Sequence, residues 1–184
     1  MDQQGTTQVN LAVERMIERA EQYDRERPSQ HTLIMGGSAR ERRSVLDLIE
    51  ARLRHGMPDQ PKQIGRPFSP FDKAPSNAKE LWFETANAAG LPREDDNHDN
   101  GLVRIQQAAA KCLFVAVVDD LDHVLRNWED AGEALNLRWA LQNVNGLMVV
   151  ASTEGPISTA DRHEHSILAM TFATQMIAPM AAVQ

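Results

Sequence analysis

Two aspartates follow the most apolar stretch of the chain. Leu113-Phe114-Val115-Ala116-Val117-Val118 runs directly into Asp119-Asp120, with Asp122 just beyond. Six apolar residues rich in valine predict a central strand buried on both faces. A carboxylate at the carboxyl end of such a strand lies where open α/β sheets bind ligands. There it can hold a magnesium ion, often through water, and a neighbouring carboxylate can orient an attacking water. Asp119 is the candidate metal ligand and Asp120 the candidate catalytic base. Two other places offer matching chemistry. Thr32-Leu33-Ile34-Met35 predicts a short strand, closed by Gly36-Gly37 and Ser38, with a helical pattern from Ala39. A glycine turn opening a helix aims backbone N–H groups at an anion. Arg42, Arg43 and Ser44 follow as charged and hydroxyl groups for a phosphate. Leu147-Met148-Val149-Val150-Ala151 predicts a further strand, ending in the hydroxyls of Ser152 and Thr153 about thirty residues after the acids.

The elements that would position these residues can be read from periodicity. Gln8 to Glu26 predicts an amphipathic helix, with Leu11, Met16, Ile17, Ala20 and Tyr23 on its apolar stripe. Ala39 to His55 predicts a second helix, with a stripe of Val45, Leu46, Leu48, Ile49 and Leu53. Pro58, Pro61, Pro67, Pro70 and Pro75 forbid a regular helix over 56–75, although an edge strand from Gln63 to Phe68 fits. Helices are expected over 77–90, from Leu102 to Lys111, and in one or two pieces from Asp122 to Asn143. Asn145-Gly146 is a turn, and a last strand is expected between Met170 and Met180. Strands alternating with helices imply βαβ units. The expected fold is α/β, a mainly parallel five-stranded sheet with helices on both faces.

Composition limits the function classes. With 184 residues, 42% of them hydrophobic, the chain suits one folded domain. A net charge of -7 opposes unaided nucleic-acid binding, because the arginines of 40–54 are interleaved with acids. A single cysteine, Cys112, excludes an internal disulfide and a cysteine zinc cluster, and its place before a strand suggests core. The N-terminus lacks a basic start followed by an apolar run, and no run reaches the ~20 residues that span a bilayer, so cytoplasmic is the default.

The pattern G-x-x-x-x-G-K-[ST] between a strand and a helix binds nucleotide phosphates through glycine-freed amides, a lysine and a magnesium-binding hydroxyl. Laid on it, Gly36 takes the first glycine, Glu41 the second, Arg42 the lysine and Arg43 the Ser/Thr. Arg42 can meet a phosphate as a charge. Arg43 supplies no neutral hydroxyl, and Glu41 places negative charge where an anion should lie. Ser38 or Ser44 would substitute only in a shifted register.

Taken in order, the glycine turn, VVDDLD and VVAST resemble the core of an AAA+ or related STAND/KAP-type P-loop ATPase, over residues 8 to 180. The resemblance implies a leading helix at 8–26 and an αβα core at 32–180. It implies ATP and Mg2+ as cofactors, Asp119 as the Walker B magnesium ligand and Asp120 as the base if the site is active. Gly36, Gly37, Ser38, Arg42, Arg43, Ser44, Ser152 and Thr153 would be the nucleotide-facing residues. It also implies a helical lid after the last strand, and the chain reaches Gln184 about where a lid would begin, so one lidless domain over 1–184 is expected. Arg162 is the only arginine in the loop where oligomeric relatives carry an arginine finger. With the lysine and hydroxyl replaced, the expectation is a degenerate, regulatory or assembly subunit with weak or no nucleotide binding and little hydrolysis. It would associate with a protein partner or itself. The alternatives are an active ATPase using Arg42 with Asp119 and Asp120, and a DNA-associated accessory protein.

Plainer readings exist for each feature. Asp120 or Asp122 could simply cap a helix. Ser152 and Thr153 could be an ordinary strand end. Asp95 to Gly101 faintly resembles a calcium loop but lacks its glycine placement and its glutamate. His163 and His165 read as exposed loop residues, and Trp82, Trp128 and Trp139 as packed helix residues.

Overall fold

The computed structural model describes residues 3–22, 30–56, 62–67, 73–93, 100–155 and 172–176. Its elements are α1 (Gln3–Glu21), β1 (His31–Met35), α2 (Ala39–Gly56), β2 (Lys62–Gly65), α3 (Ala78–Ala88), α4 (Gly101–Ala109), β3 (Leu113–Val118), α5 (Leu121–Arg126), α6 (Ala131–Asn143), β4 (Leu147–Thr153) and β5 (Phe172–Met176). The strands pair in parallel in the order β2-β3-β4-β1-β5. Four of them, β2, β3, β4 and β1, carry the site, and β5 extends the sheet beyond β1. Tyr23, Arg162, His163, His165 and most of the calcium-like loop lie outside the described residues. Asn100, at that loop's end, caps α4 by accepting the Leu102 N–H at 3.1 Å.

Every residue of β3 and β4 is buried, as a strand covered on both faces requires. Side-chain alternation splits the core in two. Phe114, Ala116 and Val118 of β3 pack with α3, α4, α5 and α6, together with Leu33, Val149 and Ala151. Leu113, Val115 and Val117 pack on the opposite face with α1 and α2, together with Ile34, Met148 and Val150. The chain leaves β1 over one face, through α2, to the far edge at β2. It returns strand by strand over the other. That reversal beside β1 is the switch point at which open α/β sheets leave a crevice.

Four expectations are corrected in detail. The buried stripe of α1 is Ala12, Val13, Met16 and Ala20, and Leu11 is 44% exposed. Helix rotation is set by the residues three and four apart that fit the sheet, and Leu11 falls outside that arc. Leu48 is likewise outward on α2, and Trp139 is 51% exposed on α6. Trp82 and Trp128 do pack, and the Trp128 indole N–H donates to the Pro75 carbonyl at 3.0 Å. Finally, β2 is shorter than Gln63 to Phe68. It ends at Gly65, where a Cβ would collide with the Thr85 carbonyl of α3, so only glycine lets the edge strand approach that helix.

His31, the first residue of β1, ties three elements together. Its Nδ1 accepts the Val149 N–H at 3.0 Å, so Nε2 carries the proton and donates to the Leu141 carbonyl at 2.7 Å. The ring is 2% exposed and lies 5.9 Å from the Phe172 ring. Burial pushes its pKa below the ordinary histidine value, against the Leu141 hydrogen bond. An unfolded chain therefore takes up this proton first. The contribution is fully present above the unfolded pKa of about 6.5 and is lost as pH falls through the depressed folded value. Urea unfolding at several pH values should show stability falling as the solution is acidified below about pH 6.5. His31→Leu should cost about 2–4 kcal/mol at neutral pH, because it strands a buried donor and acceptor, and it should flatten that pH dependence.

Candidate functional site

The parallel register aligns the carboxyl ends of four strands. Met35 pairs with Thr153, Val118 with Ala151, and Gly65 with Ala116. Thus Gly36, Ser152, Asp119 and Arg66 emerge along one edge of the sheet. Asp120 donates its N–H to the Ser152 Oγ at 3.0 Å, which joins the acid pair to β4. Thr153 instead turns its hydroxyl to the Gly155 carbonyl at 2.8 Å. Both hydroxyl residues are buried.

The turn after β1 is short. Gly36 and Gly37 adopt φ of 94° and 66°, a left-handed conformation that suits glycine. Ser38 then caps α2, which begins at Ala39. Its carbonyl accepts the Arg42 N–H at 3.0 Å, its Oγ accepts the Glu41 N–H at 3.3 Å, and its N–H donates to the Glu41 carboxylate at 2.5 Å. This reciprocal pair is a capping box. Ala39, Arg40 and Glu41 therefore form the first turn of a helix, where the G-x-x-x-x-G-K-[ST] pattern needs open backbone. The Glu41 carboxylate already occupies an amide of the helix N-terminus, which favours an anion.

Arg42 lies across the crevice. Its guanidinium donates to the Gly37 carbonyl and to Asp120 Oδ1, both at 2.8 Å, and its side chain is 6% exposed. Asp120 occupies the N-cap position of α5 at φ 43° and ψ 57°, yet its side chain makes no capping bond. Among the described residues it is the only non-glycine with positive φ. The helix-capping reading thus accounts for its position but not for its carboxylate, which faces Arg42. Arg43 is half-buried and its charge acts on Asp119. Ser44 is exposed and donates to the Arg40 carbonyl one turn back at 3.0 Å.

Asp119 is 3% exposed and meets Arg66, a residue the sequence reading passed over. Arg66 Nε and Nη2 both donate to Asp119 Oδ2, at 3.0 and 2.7 Å. Its Nη1 reaches Asp47 at 2.5 Å and Glu50 at 3.4 Å, both on α2. Burial raises the Asp119 pKa, the Arg66 and Arg43 charges oppose the rise, and Asp120 adds to it. Burial works against the Arg66 charge, but the hydrogen bond to Asp47 and the field and hydrogen bonds of Asp119 outweigh it and hold its pKa above the ordinary value. The signal for Arg66 was faint. It is an arginine between a glycine and a proline at the end of a four-residue edge strand.

The polar groups at the strand ends are already bonded to one another. Asp119 is spent on a guanidinium, the helix amide on Glu41, and Ser44 faces away. Among the described residues, no three His, Cys, Asp or Glu side chains are grouped as metal ligands would be. No described helix is long and apolar enough to cross a membrane.

No protein-family profile matches the chain, and no curated protein matches it. Solved structures do resemble it. A chain of Drosophila ORC bound to DNA is 16% identical, with a TM-score of 0.55, 98% of this chain covered and 94% of that one. The Aeropyrum pernix ORC1 protein in complex with DNA is 13% identical with a TM-score of 0.62, covering 95% of this chain and 46% of its own. The Walker-type ATPase PABY2304 of Pyrococcus abyssi is 12% identical with a TM-score of 0.55, covering 93% and 53%. The chain therefore shares the fold of these ORC and Walker-type ATPase structures, a parallel sheet with helices. This chain spans about half the length of the latter two proteins.

Asp120→Asn keeps a residue tolerant of positive φ but deprives buried Arg42 of its carboxylate. It should destabilise the protein by about 1–3 kcal/mol in chemical denaturation. Asp120→Gly relieves the backbone strain as well and should cost less than Asp120→Asn.

Proposed function

We propose that this chain is a nucleotide-fold regulatory or assembly subunit, an AAA+-like domain that binds nucleotide weakly or not at all and hydrolyses little. One observation carries the reading. Each charged position of the site is matched from within the chain: Asp119 by Arg66, Asp120 by Arg42, and the α2 amide by Glu41. A phosphate or a metal would have to displace these partners, of which Arg42 is buried, before gaining any contact. Phosphoryl transfer depends on positioning and on charge stabilisation by a lysine and a metal, and the lysine position here is an arginine that holds its own loop.

Docking on a protein is supported by α6. Leu135 and Trp139, one turn apart, are 46% and 51% exposed on its outer face, opposite buried Ala134, Leu137 and Leu141. Aromatic anchors of this kind are enriched in interfaces. The partner in this reading is another domain of the same fold, a second copy or an active ATPase. DNA appears in the two ORC structures, but a net charge of -7 favours contact with DNA through such a partner over direct binding.

Isothermal titration with ATP, with and without magnesium, should give no saturable heat at millimolar nucleotide, and phosphate release should match that of Asp119→Asn. Saturable, magnesium-dependent binding abolished by Asp119→Asn would overturn the reading in favour of a working ATPase. Trp139→Ala should weaken any concentration-dependent self-association seen in sedimentation, with thermal stability unchanged.

A further inference from the structure

We propose that Arg66 is the resident cation of this site, standing where the fold would otherwise place a divalent metal, and that metal and guanidinium compete for the same acids. The inference rests on the reading of the site as filled from within, and it concerns what fills it.

Asp119 comes from the end of β3, and Asp47 and Glu50 come from one face of α2. All three carboxylates meet a single guanidinium, at 2.7, 2.5 and 3.4 Å. Arg54 also bonds Glu50, at 2.8 Å, and the Arg43 charge acts on Asp119, but Arg66 is the one that bonds the buried Asp119 oxygen. Such an oxygen requires a cation, because a buried carboxylate left unpaired is strongly destabilising. A guanidinium is planar and wide, with donors in a fixed fork, and three acids spaced to fit it stand further apart than ligands at about 2.1 Å from magnesium. That explains why these acids do not form a metal-ligand group in the folded chain.

Arg66 is also well placed to stay. It follows Gly65 at the end of β2 and precedes Pro67, which favours extended backbone and lets the side chain run along the strand ends. Asp47, by contrast, is 57% exposed and has room to close on a smaller ion once the guanidinium is gone, whereas Glu50 stays bonded to Arg54.

The test uses Mn2+ alone, without nucleotide, on the full chain. Binding is read from the loss of the free-ion signal in electron paramagnetic resonance, and thermal midpoints are taken in chelator and in millimolar Mn2+. The wild-type protein should show no saturable binding and no shift. Arg66→Met should unfold at a lower temperature in chelator, bind Mn2+ at least about tenfold more tightly than wild type, and regain stability with the ion. Arg66→Met combined with Asp119→Asn should lose that response. Arg66→Lys keeps one charge but cannot span three acids, so its Mn2+ affinity should fall between the two. It carries the test if Arg66→Met does not fold. Saturable Mn2+ binding by the wild type, or folded Arg66 variants with no gain, would overturn the proposal. Magnesium-ATP binding by the wild type bears on the proposed function. The Mn2+ response of the Arg66 variants bears only on which cation holds the acids.

Discussion

A carboxylate that leaves a sheet buried on both faces must find a cation inside the protein. Asp119 is in that position, with β3 packed between helical layers and only 3% of the residue exposed. Water cannot solvate it, and burial alone would push it toward the neutral form. The Arg66 and Arg43 charges oppose this, and Arg66 is the one that bonds it directly. Much of the surrounding geometry follows. β2 must run parallel to β3 and stop at Gly65 so that the next residue reaches across. α2 must present Asp47 and Glu50 toward the same point, so that the guanidinium is satisfied on its second side. One buried oxygen thereby links an edge strand, a central strand and a helix from the opposite layer.

The second half of the site obeys the same economy of charge. The first turn of α2 has amides to satisfy, and Ser38 and Glu41 satisfy two of them within the helix itself. Arg42 then follows on the crevice side and meets Asp120, the residue whose backbone is held in the left-handed region. Non-glycine residues there cost of order 1 kcal/mol or more and persist where neighbours hold them. Here the hold comes from the Ser152 hydroxyl on the Asp120 amide and from Arg42 on its carboxylate. The fold resembles those of ORC and Walker-type ATPase structures, yet its crevice is tied together by contacts within one chain. Fold likeness and site chemistry thus give different information, as they do wherever one scaffold serves many functions.

Periodicity alone located β3, β4 and α2, because long apolar runs and a strong helical repeat leave few alternatives. The acid pair and the glycine turn were legible for the same reason: they stand at the ends of those runs. What remained illegible was rotation and reach. Leu11, Leu48 and Trp139 belong to helical stripes by spacing, but the arc of a helix that meets the sheet is narrower than the stripe. Arg66 lies in a proline-rich stretch with one short strand. Its partners are 53 residues away, just after β3, and 19 residues back on α2. No local pattern announces a contact of that kind. His31 is similar, since its two ring nitrogens are committed to Leu141 and Val149, more than a hundred residues on.

The sequence by itself determined the order of strands and helices, the parallel α/β class and the two acids at a strand end. These depend on local hydrophobic period and on turn chemistry, which neighbours in the chain supply. Only the tertiary structure decided that those acids are already paired, that the α2 amide is met by Glu41 rather than left open, and which apolar side chains face outward. The reason is physical: charge pairing depends on distance through space, and the parallel register of β1, β3 and β4 brings together strand ends that the chain keeps far apart.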